Sequence, residues 1–172
     1  IVLAGSGLTG GGAANFGGIW HSDTTFHEAP PLGSVLYALD VPDSGGDTLF
    51  ANMYAAYDAL SDGMKQMLDG MSAMHSGARS YGSTDSQVTL RRDKGSRSMK
   101  VGVKADADSE VEHPVVRTHP EIGRKSLFVS PIATQRFKDM THAESLPILD
   151  FLSAHARRPE FTCRFRWEVG SQ

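Results

Sequence analysis

The chain has 172 residues, of which 40% are hydrophobic and 22% charged, and no apolar run approaches the roughly eighteen residues that a membrane helix requires. Its 17 Lys and Arg against 20 Asp and Glu give a formal net charge of -3, which argues against the basic field of proteins that bind nucleic acid or anionic membranes. We therefore expect one globular domain, residues 1–172, with small molecules or proteins as partners and neither nucleic acid nor a membrane among them.

The single cysteine and the two chain ends add further expectations. Cys163 has no second cysteine with which to form an internal disulfide, and no signal-peptide pattern is seen, which favours a reducing cytoplasm. The chain begins at Ile1 without an initiator methionine and ends at Gln172 directly after a strand-like run. We expect a domain that is cut at both ends.

The first half of the chain predicts a loop, a strand and two helices. Residues 5–18 contain so many glycines that we expect a flexible loop. Residues 33–41, GSVLYALDV, are rich in β-branched and apolar side chains between two turn-like segments and predict a strand. Residues 52–70 carry apolar residues at helical spacing, with Ser61 placed to cap a second short helix and Gly70 to end it.

Residues 77–108 differ in composition from the segments around them. They contain few large apolar side chains and many Ser, Gly, Arg and Lys residues. Such a segment has little apolar surface to bury, so we expect a flexible, lid-like loop.

The remaining segments predict further strands and one long helix. HPVVRTHP at 113–120 and RKSLFVSP at 124–131 predict two short strands around a turn. Thr141 and Glu144 form a T-x-x-E capping box ahead of a helix, and residues 160–169 alternate in the manner of a half-buried strand. Strands interrupted by helices without a βαβ rhythm indicate an antiparallel, mainly β fold with helical insertions.

The stretch WHSDTTF, residues 20–26, carries the first chemical signal. On an extended strand, residues two apart project from the same face, so His21 and Asp23 would converge while Ser22 turns away. One imidazole and one carboxylate make two thirds of the 2-His-1-carboxylate triad that holds non-haem Fe(II). An isolated H-x-D is also found where an acid merely orients a histidine at a strand end. We predict that the two side chains lie close enough to share one metal ion.

Flanking motifs strengthen the metal interpretation. W-H-x-D-x-T-F, P-P-x-G and G-G-D-T-x-F follow one another between residues 20 and 50. With these motifs the chain resembles the taurine dioxygenase family of Fe(II)/2-oxoglutarate-dependent oxygenases, which is related to alkylsulfatase and aryloxyalkanoate dioxygenases. HPVVRTHPEIGRKSLFV and RPEFTCRFRW also resemble that family. The resemblance implies a double-stranded β-helix (jelly roll), incomplete in this chain.

The resemblance assigns roles to individual residues. His21 and Asp23 match the first two iron ligands of the family, and Thr48 matches the threonine that binds the distal carboxylate of 2-oxoglutarate. Tyr81 falls at the place of a substrate-lining aromatic residue, and Trp20 is expected in the core beside the ligands.

Two positions depart from the taurine enzyme's pattern. Gly17 stands where that enzyme has a substrate-contacting asparagine, and Ala133 stands where it has a second substrate-lining aromatic. A roomier, less polar pocket is implied, which would suit an aryloxy or longer alkyl group.

The other histidines and the third iron ligand follow from the same resemblance. The third ligand, a histidine, and the arginine that pairs with 2-oxoglutarate are expected beyond Gln172, so a polypeptide ending there is not expected to be a competent oxygenase. His113 and His119 match positions that do not bind metal and are interpreted as structural, whereas His27 is expected to line the pocket or face solvent. The remaining histidines are expected on helix or loop surfaces: His75, His142 and His155.

The implied reaction consumes Fe(II)-activated O₂ and 2-oxoglutarate as cosubstrate and gives succinate and CO₂. The substrate would be a small organic acid, such as a sulfonate, a sulfate ester or an aryloxyalkanoate, hydroxylated next to its heteroatom. A lid at 77–108 would exclude water from the reacting centre. The sequence leaves homo-oligomer formation open.

Two other classes of function remain open at this point. A zinc-type metal hydrolase would use His21, Asp23 and another histidine, and would want a carboxylate base, for which Glu28 is the candidate nearby. A non-catalytic jelly-roll module that binds a ligand would have no need for the H-x-D and G-G-D-T motifs together.

Overall fold

The computed structural model of the protein describes residues 2–6, 18–81 and 107–172. Within these ranges the strands are β1 Val2–Ser6, β2 Thr48–Asn52, β3 Ser72–Ser76, β4 Glu110–Pro114, β5 Val116–Thr118, β6 Lys125–Leu127, β7 Thr134–Phe137 and β8 Thr162–Phe165. The helices are α1 Met53–Asp58, α2 Asp62–Leu68, α3 Ala78–Tyr81 and α4 His142–Ala156, and a short 3₁₀ turn covers Pro159–Phe161.

The described strands form three antiparallel sheets. β2 lies between β1 and β8, and β3 lies between β4 and β7. The hairpin of β5 and β6 forms the third sheet, with the predicted turn between its strands. Helices α1, α2 and α3 are inserted between strands, so the predicted antiparallel, mainly β architecture with helical insertions is confirmed.

Short-range capping explains where the first two helices begin. The Asn52 side chain accepts hydrogen bonds from the backbone N–H groups of Tyr54 and Ala55, both at 3.1 Å, and so starts α1 directly after β2. Ser61 accepts from the Met64 backbone N–H and starts α2. Gly70 follows α2 with φ of +78°, a conformation that glycine adopts without steric cost. The predicted helices and their caps are confirmed.

Helix α4 is capped by a pair of polar side chains at its start and is bonded to neighbouring elements by two others. The predicted capping box is present, because Thr141 accepts from the Glu144 backbone N–H while the Glu144 carboxylate accepts from that of Thr141. The Ser145 hydroxyl accepts from the backbone N–H of Phe137 in β7. His155 donates from Nε2 to the Ala56 carbonyl of α1 at 2.8 Å and is only 8% exposed, so the predicted surface position for His155 is wrong.

The core lies where α1, α2 and α4 meet the sheets. Its largest fully buried apolar side chains come from five different elements. They are Met53, Leu68, Leu127, Phe137 and Leu152. Trp20 packs partly buried against this cluster, as the sequence predicted.

His75 is a second histidine whose predicted surface position is wrong. It is fully buried in β3, with Nδ1 3.1 Å from the Thr25 hydroxyl and Nε2 3.3 Å from the Thr134 hydroxyl. The Phe128 ring stacks on it at 5.4 Å between centroids. Burial, reinforced by the nearby charges of His113 and Arg117, lowers the pKa of His75 to about 3. The imidazole is therefore neutral in the folded protein.

The predicted strand at 33–41 is not formed. Most of its side chains are exposed, including Val35 at 88% and Leu39 at 81%. Among the described residues, the backbone hydrogen bonds between this segment and the end of the chain are made by Ala38. Its N–H donates to the Ser171 carbonyl, and its carbonyl accepts from the Gly170 N–H. β-branched and apolar residues favour a strand only where a neighbouring strand and a half-buried face are provided, and the described residues provide neither here.

Parts of the two predicted loops lie outside the described residues. These parts are residues 7–17 of the glycine-rich segment and 82–106 of the predicted lid, whose flexibility stays a prediction. The two described flanks of the lid segment are joined, because the Ser76 hydroxyl donates to the carbonyl of buried Ala107 at 2.9 Å. No helix among the described residues is long and apolar enough to cross a membrane.

Replacing Thr141 by Ala should lower the free energy of unfolding by about 1 kcal/mol, because the backbone N–H of Glu144 at the start of α4 loses the hydroxyl that accepts its hydrogen bond. Thr141→Ser keeps the hydroxyl and is the matched control, with a loss well below that of the alanine variant. Urea denaturation of both variants beside the wild type measures the difference. Equal losses in the two variants would contradict the assigned cap.

Acidification should destabilise the protein through His75. Its pKa is lowered from 6.5 to about 3 in the folded state, so the unfolded chain binds the proton more readily. The stabilisation is complete above pH 6.5 and is lost as the pH falls from there toward 3, by about 1.4 kcal/mol per pH unit.

His75→Gln removes this titration, so its free energy of unfolding should fall about 1 kcal/mol less than that of the wild type between pH 7 and pH 5.5. His142→Gln, at an exposed position, is the control and should keep the wild-type dependence. The measurement is urea denaturation at both pH values. A wild-type slope in His75→Gln would show that another group is responsible.

Candidate metal centre and adjoining cavity

His21 and Asp23 lie side by side. His21 Nε2 is 3.5 Å from Asp23 Oδ1, and the two side chains are 23% and 60% exposed. The other ring nitrogen, Nδ1, is 2.6 Å from the Ile19 carbonyl and must carry the proton that this bond requires. Nε2 is therefore the nitrogen on the side of the carboxylate, and it is the one that could donate its lone pair to a metal ion.

A turn rather than a strand brings the pair together. His21 forms an isolated bridge, and residues 23–26 form a turn closed by a hydrogen bond from the His27 N–H to the Thr24 carbonyl. Thr24 has φ of +50°, which is rare for a β-branched residue. The predicted extended strand is thus wrong for this stretch, although the predicted proximity of the two side chains is present.

Three consecutive residues anchor this turn to β3 and β4. The Thr25 hydroxyl contacts His75, and the His27 carbonyl accepts from His113 Nε2 at 2.9 Å. Between them the Phe26 ring lies on Gly77, where a Cβ would stand only 3.1 Å from the ring atoms. A larger residue at 77 would displace the ring. The anchors hold the backbone that carries Asp23.

His113 is buried, as its assigned structural role requires. Its ring lies edge-on to His75 and to Phe128, at 5.4 and 5.3 Å between centroids. Burial lowers the pKa of His113, which outweighs the opposing effect of its backbone hydrogen bonds. His27 packs its own ring against Phe26 at 4.7 Å and does not line the cavity described next.

A cavity of about 460 Å³ opens beside the pair. Its walls come from the segment 30–36, from Phe50 and Tyr54 of the β2–α1 region, and from the β5–β6 hairpin. The size suits a small organic molecule, and the mixture of apolar walls with a few polar groups is typical of ligand sites.

The β5–β6 hairpin supplies a polar wall of this cavity. Arg117 lies opposite Ser126 in the register, and its guanidinium carbon is 4.5 Å from the centroid of the Phe128 ring. His119 accepts at Nδ1 from the backbone N–H groups of Glu121 and Ile122, which fixes the turn that follows β5. His119 thus has the structural role predicted from the sequence, and it also lines the cavity.

Thr48 lies in β2, two residues before Phe50, but does not line the main cavity. Its hydroxyl oxygen accepts a hydrogen bond from Trp167 Nε1 at 2.9 Å. Trp167 in turn lines a smaller cavity of about 200 Å³, which shares the wall residue Leu36 with the main one. No role was predicted for Trp167 from the sequence, although its position two residues after β8 places it beside Thr48.

The remaining sequence candidates are not joined to the site. Tyr81 ends α3, and its side chain lies outside what the structure describes, so its role as a pocket residue stays a prediction. Ala133 is 2% exposed and does not line the main cavity, so its small side chain does not enlarge that cavity as expected. Gly17 lies outside the described residues.

The pair fits a divalent metal ion in part. An imidazole nitrogen and a carboxylate oxygen stand 3.5 Å apart at the edge of a cavity, which is a suitable spacing for two ligands of one ion. Among the described residues no group of three or more His, Cys, Asp or Glu side chains could hold a metal. Glu28 is exposed and does not line the cavity, so the described site offers no base of the kind that a zinc hydrolase needs.

Comparison with known proteins places this geometry in a family. Residues 4–171 match the family model described as "Taurine catabolism dioxygenase TauD, TfdA family". An alpha-ketoglutarate-dependent sulfate ester dioxygenase of Pseudomonas putida is 36% identical over 151 residues, which cover 88% of this chain and 48% of that protein. An alpha-ketoglutarate-dependent 2,4-dichlorophenoxyacetate dioxygenase of Cupriavidus pinatubonensis is 37% identical over 161 residues, covering 88% and 49%.

The chain spans between about a third and half of the length of the curated relatives that it matches. Among solved structures, the crystal structure of AAD-2 in complex with Mn(II) and N-oxalylglycine superimposes with a TM-score of 0.72 at 34% identity, covering 88% of this chain and 55% of that one. These likenesses confirm the predicted jelly-roll fold class, although the described strands form no closed barrel. The family match runs over almost the whole chain, and the chain belongs to the TauD, TfdA family of taurine catabolism dioxygenases.

Proposed function

We propose that the chain is part of an Fe(II)/2-oxoglutarate-dependent dioxygenase that hydroxylates a small organic acid next to its heteroatom. The observation that carries this proposal is the His21 Nε2 atom on the side of the Asp23 carboxylate, at 3.5 Å, beside the cavity. The relatives named for sulfate esters and for 2,4-dichlorophenoxyacetate support a sulfonate, sulfate ester or aryloxyalkanoate as substrate.

The proposed metal ligands are His21 through Nε2 and Asp23 through its carboxylate. The hydrogen bond from Nδ1 to the Ile19 carbonyl fixes the ring orientation and the tautomer, as such contacts do in metal sites. We assign the third ligand, a histidine, and the arginine for 2-oxoglutarate to residues beyond Gln172. Bound Fe(II), together with 2-oxoglutarate and O₂, would supply the oxidising power, with succinate and CO₂ as products.

Thr48 is the proposed contact for the distal carboxylate of 2-oxoglutarate. Its oxygen already accepts from Trp167, so its own O–H remains available to donate. The hydrogen bond from Trp167 limits the directions in which the Thr48 O–H can point. A carboxylate that lies in one of these directions would accept a well-oriented hydrogen bond from Thr48.

The cavity walls would position the organic part of the substrate. Phe50, Phe128 and Leu36 give apolar surface close to the metal pair, and apolar walls also limit the access of water. The proposal includes a cytoplasmic location, in keeping with the single cysteine of the chain, which is exposed and free.

Replacing His21 by Gln in the full-length protein should weaken Fe(II) binding by more than about a hundredfold, because a ligand is lost and even outer contacts of metal ligands are worth ten- to a hundredfold. His27→Gln changes a histidine on the same segment that does not line the cavity, and should bind iron as the wild type does. The measurement is anaerobic titration with Fe(II) in the presence of 2-oxoglutarate, followed by its charge-transfer absorption. If His27→Gln loses iron and His21→Gln retains it, the ligand assignment fails.

Replacing Thr48 by Val should raise the KM for 2-oxoglutarate by about tenfold, because a hydrogen bond to a charged group is lost. Thr48→Ser keeps the hydroxyl and should stay within about twofold of the wild type. Trp167→Phe removes the donor that faces Thr48 and tests whether the fixed hydroxyl matters in itself. Succinate release, measured at varied concentrations of 2-oxoglutarate, gives the KM of each of the three variants. An unchanged KM in Thr48→Val would exclude Thr48 as a contact of 2-oxoglutarate.

A further inference from the structure

We propose that Arg117 binds the anionic group of the organic acid substrate in the main cavity. This inference rests on the proposed function and deepens it, because it names the residue that would select an acid over a neutral compound.

The hairpin register directs Arg117 toward the cavity. Arg117 is opposite Ser126, and both line the cavity together with Phe128, two residues further along the chain. Val116 is opposite Leu127, and these two belong to the hydrophobic core or pack against it. Alternation along both strands therefore places Arg117 on the same cavity wall as Ser126 and Phe128, and holds it there through the packing of the opposite face.

The guanidinium group of Arg117 has no anionic partner within residues 18–81 and 107–172. The ion pairs in these ranges engage other arginines, such as Arg124 with Asp58 and Arg136 with Glu110. The one contact of the Arg117 group that the structure gives is with the face of Phe128, at 4.5 Å. Stacking of this kind orients the guanidinium plane while leaving its N–H donors available.

The electrostatics of the cavity favour an added anion near Arg117. Asp23 is the carboxylate on the cavity wall, and in the proposed function its charge is used to hold the metal. His75 and His113 lie behind Phe128, and burial lowers the pKa of both, so neither adds a competing positive charge at neutral pH. An acid bound by Arg117 would supply the missing counter-charge, and a planar guanidinium binds carboxylates, sulfonates and sulfates through two parallel hydrogen bonds.

2-Oxoglutarate also carries carboxylates, so the anion that Arg117 binds could belong either to the organic acid substrate or to 2-oxoglutarate. The structure favours the organic acid, because Thr48, the proposed contact of 2-oxoglutarate, does not line the cavity in which Arg117 lies. The apolar side chains of Phe50, Phe128 and Leu36, which line the cavity with Arg117, provide surface for a longer alkyl chain or an aryl ring, whereas 2-oxoglutarate has only two methylene groups.

The test uses the full-length protein with Mn(II) bound and measures dissociation constants by calorimetry for two acids, hexyl sulfate and phenoxyacetate. Arg117→Met should weaken the binding of the acid that the wild type prefers by at least about tenfold, and Arg117→Lys should fall between Met and the wild type. Arg136→Met, at a paired arginine outside the cavity wall, is the control and should change nothing.

Two further measurements identify the group that is recognised. Phenoxyethanol, the neutral counterpart of phenoxyacetate, should bind equally to the wild type and to Arg117→Met. 2-Oxoglutarate, titrated separately, should also bind equally to both. A larger loss for 2-oxoglutarate than for the acids would overturn the proposal, and so would an equal loss for phenoxyethanol and phenoxyacetate, or a wild type that binds neither acid.

Failure of the proposed function has a different signature. It would show as a wild type that releases no succinate from 2-oxoglutarate with Fe(II), whereas the binding constants with Mn(II) report on Arg117 without any turnover. An acid that binds through Arg117 in a protein without oxygenase activity would keep this inference and remove the proposed function.

Discussion

The site depends on the anchoring of three consecutive residues to two strands of a sheet. Thr25, Phe26 and His27 are held by His75, Gly77 and His113, and the turn that carries Asp23 is positioned through them. Two of the three anchors are the buried imidazoles of His75 and His113, and burial lowers the pKa of both. Protonation of either ring would place a charge in a buried environment, which costs free energy because the charge loses its hydration. The position of the His21–Asp23 pair therefore depends on the neutral polar layer beneath it.

This layer also organises the cavity wall. The Phe128 ring stacks on His75 and contacts the Arg117 guanidinium, so one aromatic ring joins the anchor of the turn that carries Asp23 to the cavity wall that contains Arg117. The hairpin register places Ser126 opposite Arg117 on the same cavity wall. Two sides of one cavity are thus built on the same buried histidine, although they come from segments nearly a hundred residues apart in the chain.

The sequence predicted the helix caps and the β5–β6 hairpin well, because capping and turn formation depend on side chains within a few residues of each other. Ser61 and Thr141 cap the helices at which they were placed. The strand at 33–41 failed for the opposite reason, since strand formation requires a distant partner that local composition does not specify. His75 and His155 were misplaced because their partners, Thr25 and Ala56, are remote in sequence.

The candidate site was predicted in part, and for a similar reason. The proximity of His21 and Asp23 follows from their spacing, but the turn that produces it depends on contacts with β3 and β4 that no local pattern contains. Trp167 lies 119 residues from Thr48, and Arg117 faces the cavity only because of its register. From the sequence alone, an arginine in a strand is equally compatible with a side chain that faces solvent.

Leu36 lines both cavities, and among the described residues the backbone hydrogen bonds of its segment, 33–41, are made at Ala38. Any molecule that moves this side chain in one cavity changes the shape of the other. Such a shared wall makes the two binding free energies interdependent, and thermodynamic reciprocity requires the effect to be equal in both directions. A single leucine in the wall shared by the two cavities therefore gives the fold a physical means of coupling the affinities of two ligands, whichever of them binds first.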